Sequence, residues 1–212
     1  MCGRYTISKA QEVLGTFFGA EFSETHIPIF NASPNQHLPA ILDIQPDKIL
    51  PVLWGIAPEW THRKSRLLIN ARAETVNVRP TFRESFEQRR CLVIADGFYE
   101  WQATKDGKQP FRITMRSFEP FAFAGIWQVV GGEPAYVILT TEANEVTRPI
   151  HDRMPVILEN EEHDRWLDLD LPTEDAVQLL DPYPAHTMAA VRVSKAVNSW
   201  RNKDSSLIEP IA

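Results

Sequence analysis

Six prolines fall between residues 23 and 60, and they constrain what this part of the chain can form. Proline fixes its own backbone angle and has no amide hydrogen, so it interrupts helices and central strands. The prolines are at positions 28, 34, 39, 46, 51 and 58. This spacing leaves no room for a long regular element, and we predict short strands and ordered loops over residues 23–60.

Apolar and alternating patterns dominate the rest of the chain. They predict strands over residues 91–95, 111–116, 121–130, 135–141, 154–158 and 187–194. The predicted helices are short and cover residues 8–19, 81–88, 161–169 and 173–181. Many short strands, few helices and no regular βαβ alternation predict an α+β fold. We expect one domain over residues 1–212, with a mixed, barrel-like β-sheet core and a few short flanking helices.

The composition argues against several classes of protein. Two cysteines, Cys2 and Cys91, make neither a disulfide framework nor a CxxC zinc pair, and the histidines lack a spacing such as HExxH. We therefore expect no metal and no cofactor. No apolar run approaches the roughly 18 to 20 residues of a membrane span. The N-terminus lacks the features of a signal peptide, so the expected location is cytosolic, with nucleoid association during action on DNA.

The net charge of −6 is unevenly distributed. Residues 61–90 contain eight basic and three acidic residues, whereas the rest of the chain holds 14 basic and 25 acidic ones. Trp54 and Trp60 precede this basic segment, and aromatic side chains beside basic ones are typical of surfaces that bind single-stranded nucleic acid. A solvated face of helix and loop fits the charges equally well, and tryptophans more often lie in the core.

The opening stretch "MCGRYT" places a cysteine directly after the initiator methionine. Removal of Met1 would leave Cys2 with an α-amine and a thiol, both with nucleophilic forms near neutral pH. Such an aminothiol can condense with an aldehyde to a Schiff base and then close a thiazolidine ring. A cysteine at this position can equally be no more than the start of translation.

Three further segments contain polar residues that are candidates for chemistry. In "LLINARAET" a strand end would put Asn70, Arg72 and Glu74 on one face, where an amide and a guanidinium could hold a hydroxyl and a phosphate. Strand-edge hydrogen bonds and a surface ion pair are the simpler explanation of these three. Glu100 follows a turn in "ADGFYEW", and its aromatic neighbours would raise its pKa, unless it faces solvent. His151 lies in "RPIHDRMP" between two prolines that would hold the loop, and it could carry a proton.

Eight segments in a fixed order resemble a known family. They are "MCGRY", "SPNQHLPAI", "LWGIAPEW", "INARAET", "RRCLVIADGFYEW", "FAFAGIW", "TTEAN" with "HDRMPVIL", and "VSKAVN". Together they resemble the SRAP family, the SOS-response-associated peptidases that are also regarded as abasic-site-processing proteins. The resemblance runs from Cys2 to about Asn198 and implies a DNA damage response protein. Its expected partner is single-stranded DNA containing abasic sites.

The resemblance also implies roles for individual residues. Cys2 would form a thiazolidine crosslink with the ring-opened abasic sugar. Asn70 would orient the amine and the sugar, Glu100 would shuttle protons, and His151 would assist ring opening and crosslink reversal. The residues implied in DNA binding are Arg4, Pro34, Trp60, Arg72, Thr140 and Arg153.

Two other functions remain open from the sequence. In one, Cys2 is the nucleophile of an N-terminal-nucleophile hydrolase or cysteine peptidase, which could also remove Met1. In the other, the basic segment and the tryptophans make a non-catalytic module that binds single-stranded DNA. Loss of the thiol would separate these, because only simple binding survives it.

Overall fold

The computed structural model describes residues 2–57 and 67–211. Its strands are Tyr5–Ile7 (β1), Glu21–Phe22 (β2), Ile29–Ala32 (β3), His37–Leu42 (β4), Gln45–Trp54 (β5), Asn70–Arg72 (β6), Arg90–Ala95 (β7), Gly97–Thr104 (β8), Gly107–Met115 (β9), Phe121–Val130 (β10), Glu133–Glu142 (β11), Arg153–Pro155 (β12), Ile157–Leu158 (β13) and Met188–Arg192 (β14). Its α-helices are Gln11–Phe18 (α1), Arg83–Gln88 (α2), His163–Leu167 (α3) and Thr173–Gln178 (α4). Short 3-10 turns lie at Ala73–Thr75, Asn160–Glu162, Ala185–Thr187, Lys195–Asn198 and Ser205–Ile208.

Five strands close on themselves into a barrel. The antiparallel neighbours run in the order β5, β4, β7, β10 and β11. The ring is completed by a parallel pairing of β11 with β5, which aligns Ala135 with Leu53 and Tyr136 with Trp54. Antiparallel and parallel pairs therefore occur in one closed sheet. The predicted α+β fold with a mixed, barrel-like core and short flanking helices is confirmed.

A second sheet packs beside the barrel, with the strand order β14–β9–β8–β1–β3. β1 connects the two sheets because its side chains enter the core. The Tyr5 ring centroid lies 5.0 Å from that of Trp54, and the Tyr5 hydroxyl lies 2.6 Å from the Tyr136 hydroxyl. Trp54 is fully buried, so it belongs to the core and not to a nucleic-acid surface.

The expectation of only short strands in the proline-rich region was wrong for β5, which is ten residues long and contains Pro46 and Pro51. Pro51 lies opposite Pro39 in the β4–β5 register. Bonded and non-bonded pairs alternate along an antiparallel ladder, and Trp54 N donates to Gln36 O at 2.9 Å three pairs away. The two prolines therefore share a non-bonded pair, and their missing N–H groups cost no hydrogen bond between β4 and β5.

One carboxylate fixes the position of the N-terminal strand. Asp96, in the bend between β7 and β8, accepts hydrogen bonds from Thr6 Oγ1 at 2.5 Å, Ser8 Oγ at 2.8 Å and Lys9 N at 2.9 Å. Arg112 of β9 lies 3.2 Å from the same carboxylate, which is completely buried. Ser8, predicted to begin a helix, is thus used as an anchor, and α1 begins at Gln11.

The α-helices of the described residues have five to eight residues each. None of the helices in this part of the chain has the length and apolar character needed to cross a membrane. The helices pack around the sheets, and their brevity agrees with the sequence prediction.

Candidate active site

The candidate site lies at the start of β1, where the neighbouring strand β8 continues past it. β1 pairs with β8 only through Tyr5 with Phe98 and Thr6 with Gly97, and Tyr99 N then donates to Arg4 O at 2.9 Å. β8 runs on to Thr104. The edge of β8 beyond Tyr99 therefore has no strand paired to it on this side among the described residues, and a cleft forms there.

Cys2 precedes β1 in the chain and is completely buried. Its thiol contacts the carbonyl oxygen of Arg4 at 3.7 Å. Burial raises the pKa of the Cys2 thiol well above its ordinary value, and the nearby Glu100 carboxylate acts in the same direction. The thiol is therefore neutral at physiological pH, and it needs a base before it can act as a nucleophile.

Asn70 holds the backbone of Cys2. It begins β6, which pairs in parallel with β11 at Ile138, so the barrel wall fixes its position. Asn70 Nδ2 donates to the Cys2 carbonyl oxygen at 2.9 Å. Asn70 Oδ1 is also buried, and within the described residues it has no hydrogen-bond partner. This oxygen is an acceptor on the same side-chain amide that holds Cys2.

Glu100 lies on β8 with 2% of its surface exposed. Burial raises the pKa of its carboxyl above the ordinary value, and the charge of His151 opposes this shift. A carboxyl of this kind exchanges a proton closer to neutral pH than an exposed glutamate does. The Glu100 carboxyl is therefore enclosed by the protein and does not face solvent.

His151 lies in a loop whose shape is fixed by hydrogen bonds. Asn144 Oδ1 accepts from Val146 N at 3.2 Å and Thr147 N at 3.1 Å, and Gln102 Nε2 donates to Pro149 O at 2.8 Å. The loop is thus held by side chains as well as by its prolines. The ring is left partly exposed, at 29% of its side-chain surface.

Arg153 N and the Asp152 carboxylate both contact Nδ1 of the His151 ring. Nδ1 accepts a hydrogen bond from Arg153 N at 3.0 Å, which leaves the proton of the neutral ring on Nε2. The Asp152 carboxylate lies 3.0 Å from the same Nδ1. Once Nδ1 is protonated, Asp152 becomes its ion-pair partner. Asp152 is 89% exposed, so this pair contributes little energy.

A cleft of about 390 Å³ brings Glu100 and His151 together. Its lining residues are Glu100, Trp101, Lys108, His151 and Asn198. Asn198 accepts a hydrogen bond from Trp101 Nε1 at 2.7 Å through its side-chain oxygen. Three of these residues, Trp101, Lys108 and Asn198, were not predicted as site residues. Trp101 and Asn198 lie inside segments that carry the family resemblance, whereas nothing in the sequence distinguished Lys108 from other surface lysines.

The guanidinium of Arg4 points into the protein. Arg4 Nη1 donates to Asn31 Oδ1 at 2.6 Å and to Val197 O at 2.9 Å, and Nη2 donates to Asn198 O at 3.2 Å. Asn31 Nδ2 also donates to Asn202 O at 3.0 Å. Arg4 thus connects the N-terminal segment to the C-terminal part of the chain. Its implied contact with phosphate stays a prediction.

The "INARAET" segment is split by the end of its strand. β6 stops at Arg72, which is exposed, and Glu74 lies in the following 3-10 turn. The prediction that Glu74 shares a strand face with Asn70 and Arg72 was therefore wrong. Glu74 instead forms a bidentate pair with Arg153, in which Arg153 Nη2 lies 2.9 Å from Glu74 Oε2.

The remaining residues implied in DNA binding lie in different surroundings. Thr140 is fully buried in β11, where its hydroxyl donates to Ala71 O at 3.3 Å, and Arg153 donates to its carbonyl oxygen. Pro34 is half-buried in the turn between β3 and β4. Met1, Trp60 and three basic residues of segment 61–90 (Arg63, Lys64 and Arg66) lie outside the described residues.

Arg90, a member of the same basic segment, is a structural residue. It is 1% exposed, donates to Phe86 O at 2.8 Å and Asp168 O at 3.1 Å, and lies over the Phe86 and Trp166 rings. Its charge therefore contributes no accessible surface for a ligand. Within the described residues, no group of three or more His, Cys, Asp or Glu side chains is arranged to hold a metal ion.

Comparison with known proteins gives a consistent result. Residues 1–200 match the family described as SOS response associated peptidase (SRAP). The abasic site processing protein YoqW of Bacillus subtilis is 39% identical over 223 residues, which covers 99% of both chains. The abasic site processing protein YedK of Escherichia coli is 31% identical over 227 residues and the full length of both chains.

A solved structure supports the fold independently. A protein from Bacteroides thetaiotaomicron superposes with a TM-score of 0.85, covers 100% of both chains and is 24% identical. At that identity the likeness concerns the fold alone. The family match over residues 1–200 and the full-length relatives above 30% identity together establish that this chain belongs to the SRAP family.

Proposed function

We propose that the chain binds single-stranded DNA at an abasic site and links itself to the opened sugar through a thiazolidine at Cys2. The observation that carries the proposal is one neighbourhood: Asn70 holds Cys2, and Glu100 lies close enough to affect its thiol and shares a cleft with His151. The relatives named as abasic site processing proteins supply the substrate class. An abasic site in equilibrium with its open form offers the aldehyde that an aminothiol requires.

The reaction balances without a cofactor. After removal of Met1, the α-amine of Cys2 adds to the aldehyde carbon of the opened sugar, and loss of one water gives an imine. The Cys2 sulfur then adds to the imine carbon, and the thiol proton ends on the ring nitrogen. One C–N and one C–S bond replace the two bonds of the C=O group, and the oxygen leaves as water. The condensation therefore needs no oxidant or reductant.

Glu100 is suited to move the protons of both steps. The departing hydroxyl of the first step needs a proton, and the neutral thiol of the second step has to lose one. Because its pKa is raised, Glu100 holds a proton at higher pH than an ordinary glutamate and can still release it. We assign it both roles.

Asn70 and His151 would act on the two ends of the reacting pair. Asn70 fixes the Cys2 carbonyl, and its buried Oδ1 can accept a hydrogen bond from the α-amine or from a sugar hydroxyl. In its imidazolium form, His151 can donate the Nε2 proton to the sugar ring oxygen as the bond from that oxygen to the anomeric carbon breaks, and the neutral ring results. This supports roles for His151 in ring opening and in crosslink reversal.

The DNA strand would pass the exposed Arg72, whose guanidinium can bind a phosphate without giving up a hydrogen bond to the described residues. Arg4 and Arg153 already bind backbone carbonyls, and Arg153 also binds Glu74. To bind a phosphate, each must share these donors with the DNA. We therefore assign the stronger electrostatic contribution to Arg72.

A peptidase activity has less support. A cysteine peptidase uses a thiolate, which a lowered thiol pKa favours. Burial instead raises the pKa of the Cys2 thiol and so disfavours the thiolate. The thiazolidine route does not require a free thiolate, because a neighbouring base can take the proton as the sulfur attacks.

The test is a crosslinking assay with protein whose N-terminal Cys2 is confirmed by mass spectrometry. A single-stranded oligonucleotide with one abasic site should give a shifted band that survives boiling in a denaturing gel. Cys2→Ser should lose this band yet retain a Schiff base that borohydride traps, since the α-amine remains. Cys91→Ala is the matched control and should keep the stable band. A confirmed free Cys2 that yields no shifted band would refute the proposal.

A further inference from the structure

Lys108 is the one lining residue of the cleft whose charge the proposed mechanism does not use. It lies on β9 opposite Ala103 of β8, in the outer half of the hairpin. Trp101 lies opposite Pro110 in the same register, and residues two apart on a strand face the same side. Lys108 and Trp101 therefore share one side of the hairpin, and Glu100, next to Trp101, faces the other; all three line the cleft together with His151.

The hairpin extends the cleft away from Cys2. Pairing with β1 ends near Tyr99, whereas β8 and β9 continue to a turn between Thr104 and Gly107. A strand of DNA whose abasic sugar lies at Glu100 has to leave the cleft along one of its walls. Lys108 lies on the wall formed by this hairpin.

The charge of Lys108 is accessible. Its side chain is exposed, and no carboxylate of the described ranges 2–57 and 67–211 lies within 4.0 Å of its ammonium group. The acidic group facing the cleft is Glu100, which is 2% exposed. The guanidinium groups of Arg4 and Arg153 are engaged within the protein. A ligand anion in the cleft therefore meets Lys108 as its most accessible cation among the lining residues.

We propose that Lys108 binds the phosphodiester next to the abasic nucleotide and so holds the DNA backbone against the β8–β9 hairpin. This inference rests on the proposed function for the identity of the DNA, but it concerns binding and not the covalent step. An ammonium group on a flexible stem suits a phosphate whose orientation varies with the neighbouring base.

Lysines on exposed hairpins also discourage edge-to-edge aggregation, and such a lysine needs no ligand. Lys105 provides the comparison, because it is exposed at the tip of the same hairpin and is not among the lining residues. A general effect of positive charge on DNA binding would appear equally in both lysines. A phosphate contact would appear only at Lys108.

The experiment measures the affinity of the full chain for single-stranded oligonucleotides without an abasic site at several salt concentrations. Lys108→Ala should weaken binding several-fold and reduce the slope of log Kd against log salt by about 0.7, the value for one single-strand phosphate. Lys108→Arg should retain the slope, and Lys105→Ala should leave it within error of the wild type. Equal effects of Lys108→Ala and Lys105→Ala would overturn the proposal.

A second arm locates the phosphate. Oligonucleotides with a tetrahydrofuran analogue of the abasic site, which cannot open to an aldehyde, carry one neutral methylphosphonate on either side of it, and binding is measured with the wild-type protein. Neutralising one of these two phosphates should weaken binding by protein that has Lys108. The same change should not weaken binding by Lys108→Ala any further, as expected in a double-mutant cycle for two groups that contact each other. Additive losses at both positions would refute the contact. Crosslinking by wild-type protein is scored separately, so failure of the proposed function remains distinguishable from failure of this inference.

Discussion

Glu100 and His151 share a cleft but have different surroundings. Glu100 is almost completely enclosed, and burial raises its pKa. His151 keeps 29% of its side-chain surface exposed, and Arg153 N and the Asp152 carboxylate contact its Nδ1. A buried carboxyl and a partly exposed imidazole can therefore serve different proton transfers of one reaction.

We expect Glu100→Gln to slow adduct formation by about 100-fold or more, the usual contribution of general acid–base catalysis. His151→Ala should mainly slow release of a preformed adduct. In wild-type protein, formation should decline as the pH falls through the raised pKa of Glu100, because the carboxylate that accepts the thiol proton is lost. Gel time courses over a pH series measure these rates.

Glu133→Gln is the control for Glu100, since Glu133 is 68% exposed and pairs with His37 away from the cleft. It should leave both rates unchanged. If Glu100→Gln mainly affected release and His151→Ala mainly affected formation, the assignment of roles would be wrong.

At the level of residues, the sequence predicted neighbours better than it predicted orientation. Residue types and the family resemblance pointed to Cys2, Asn70, Glu100 and His151, and the structure brings Asn70 and Glu100 to Cys2. Arg4 shows the limit. Its side chain is turned inward by carbonyl groups almost 200 positions away, and no local pattern carries that information. Nor does local sequence reveal that Arg90 is buried under Trp166.

Among the elements, β1 matters most for the site because Cys2 lies just before it in the chain. The strand is also short. Its three residues could not hold a fixed position through backbone pairing alone. Asp96 adds side-chain and backbone hydrogen bonds from Thr6, Ser8 and Lys9, and Arg112 balances its charge. The strand is therefore located by a buried carboxylate as much as by its sheet.

Asp96→Ala should lower the free energy of unfolding by about 3 to 5 kcal/mol, because it leaves Arg112 buried without its partner and removes an acceptor from three residues. Urea denaturation measures the change. Asp106→Ala, at the exposed tip of the β8–β9 hairpin, should stay within about 0.5 kcal/mol of the wild type. A loss at Asp96 no larger than that at Asp106 would contradict the anchoring role.

The strands with clear apolar patterns were predicted closely, as β10 over 121–130 shows. The ten residues of β5 were not, because Pro51 is tolerated only through its register opposite Pro39 of β4, and local sequence does not reveal that register. The parallel pairing of β5 with β11 could not be predicted either. It joins segments some 80 residues apart, and their patterns specify a strand but not a neighbour.

On the scale of the whole molecule, buried titratable groups make stability depend on pH. Burial lowers the pKa of both His26 and His163 below the ordinary value of 6.5. His163 stacks on Phe18 at 5.6 Å between ring centroids, and its Nε2 is buried without a hydrogen-bond partner among the described residues. These two histidines therefore bind fewer protons in the folded protein than in the unfolded chain just below pH 6.5.

The sign follows from linkage. A histidine whose pKa is lower in the folded state imposes no penalty well above 6.5, and stability falls as the pH drops from 6.5 towards the lowered value. We expect the contribution of these histidines to lower the free energy of unfolding between pH 7 and pH 5.5, and His163→Gln to remove part of this decrease. His186→Gln, at an exposed position, should not. The free energy of unfolding is plotted against pH for both proteins. Parallel plots for wild type and His163→Gln would contradict the assignment.

The contacts of Arg4 have a consequence for biosynthesis. Val197 and Asn198 are made 193 and 194 residues after Arg4, so Arg4 cannot find these partners until nearly the whole chain has been translated. During synthesis, the N-terminal cysteine leaves the ribosome long before the segment that secures its neighbour. The contacts that hold Arg4 thus form only after residues 197 and 198 have been made, and a chain truncated before them would lack this enclosure of its N-terminal segment.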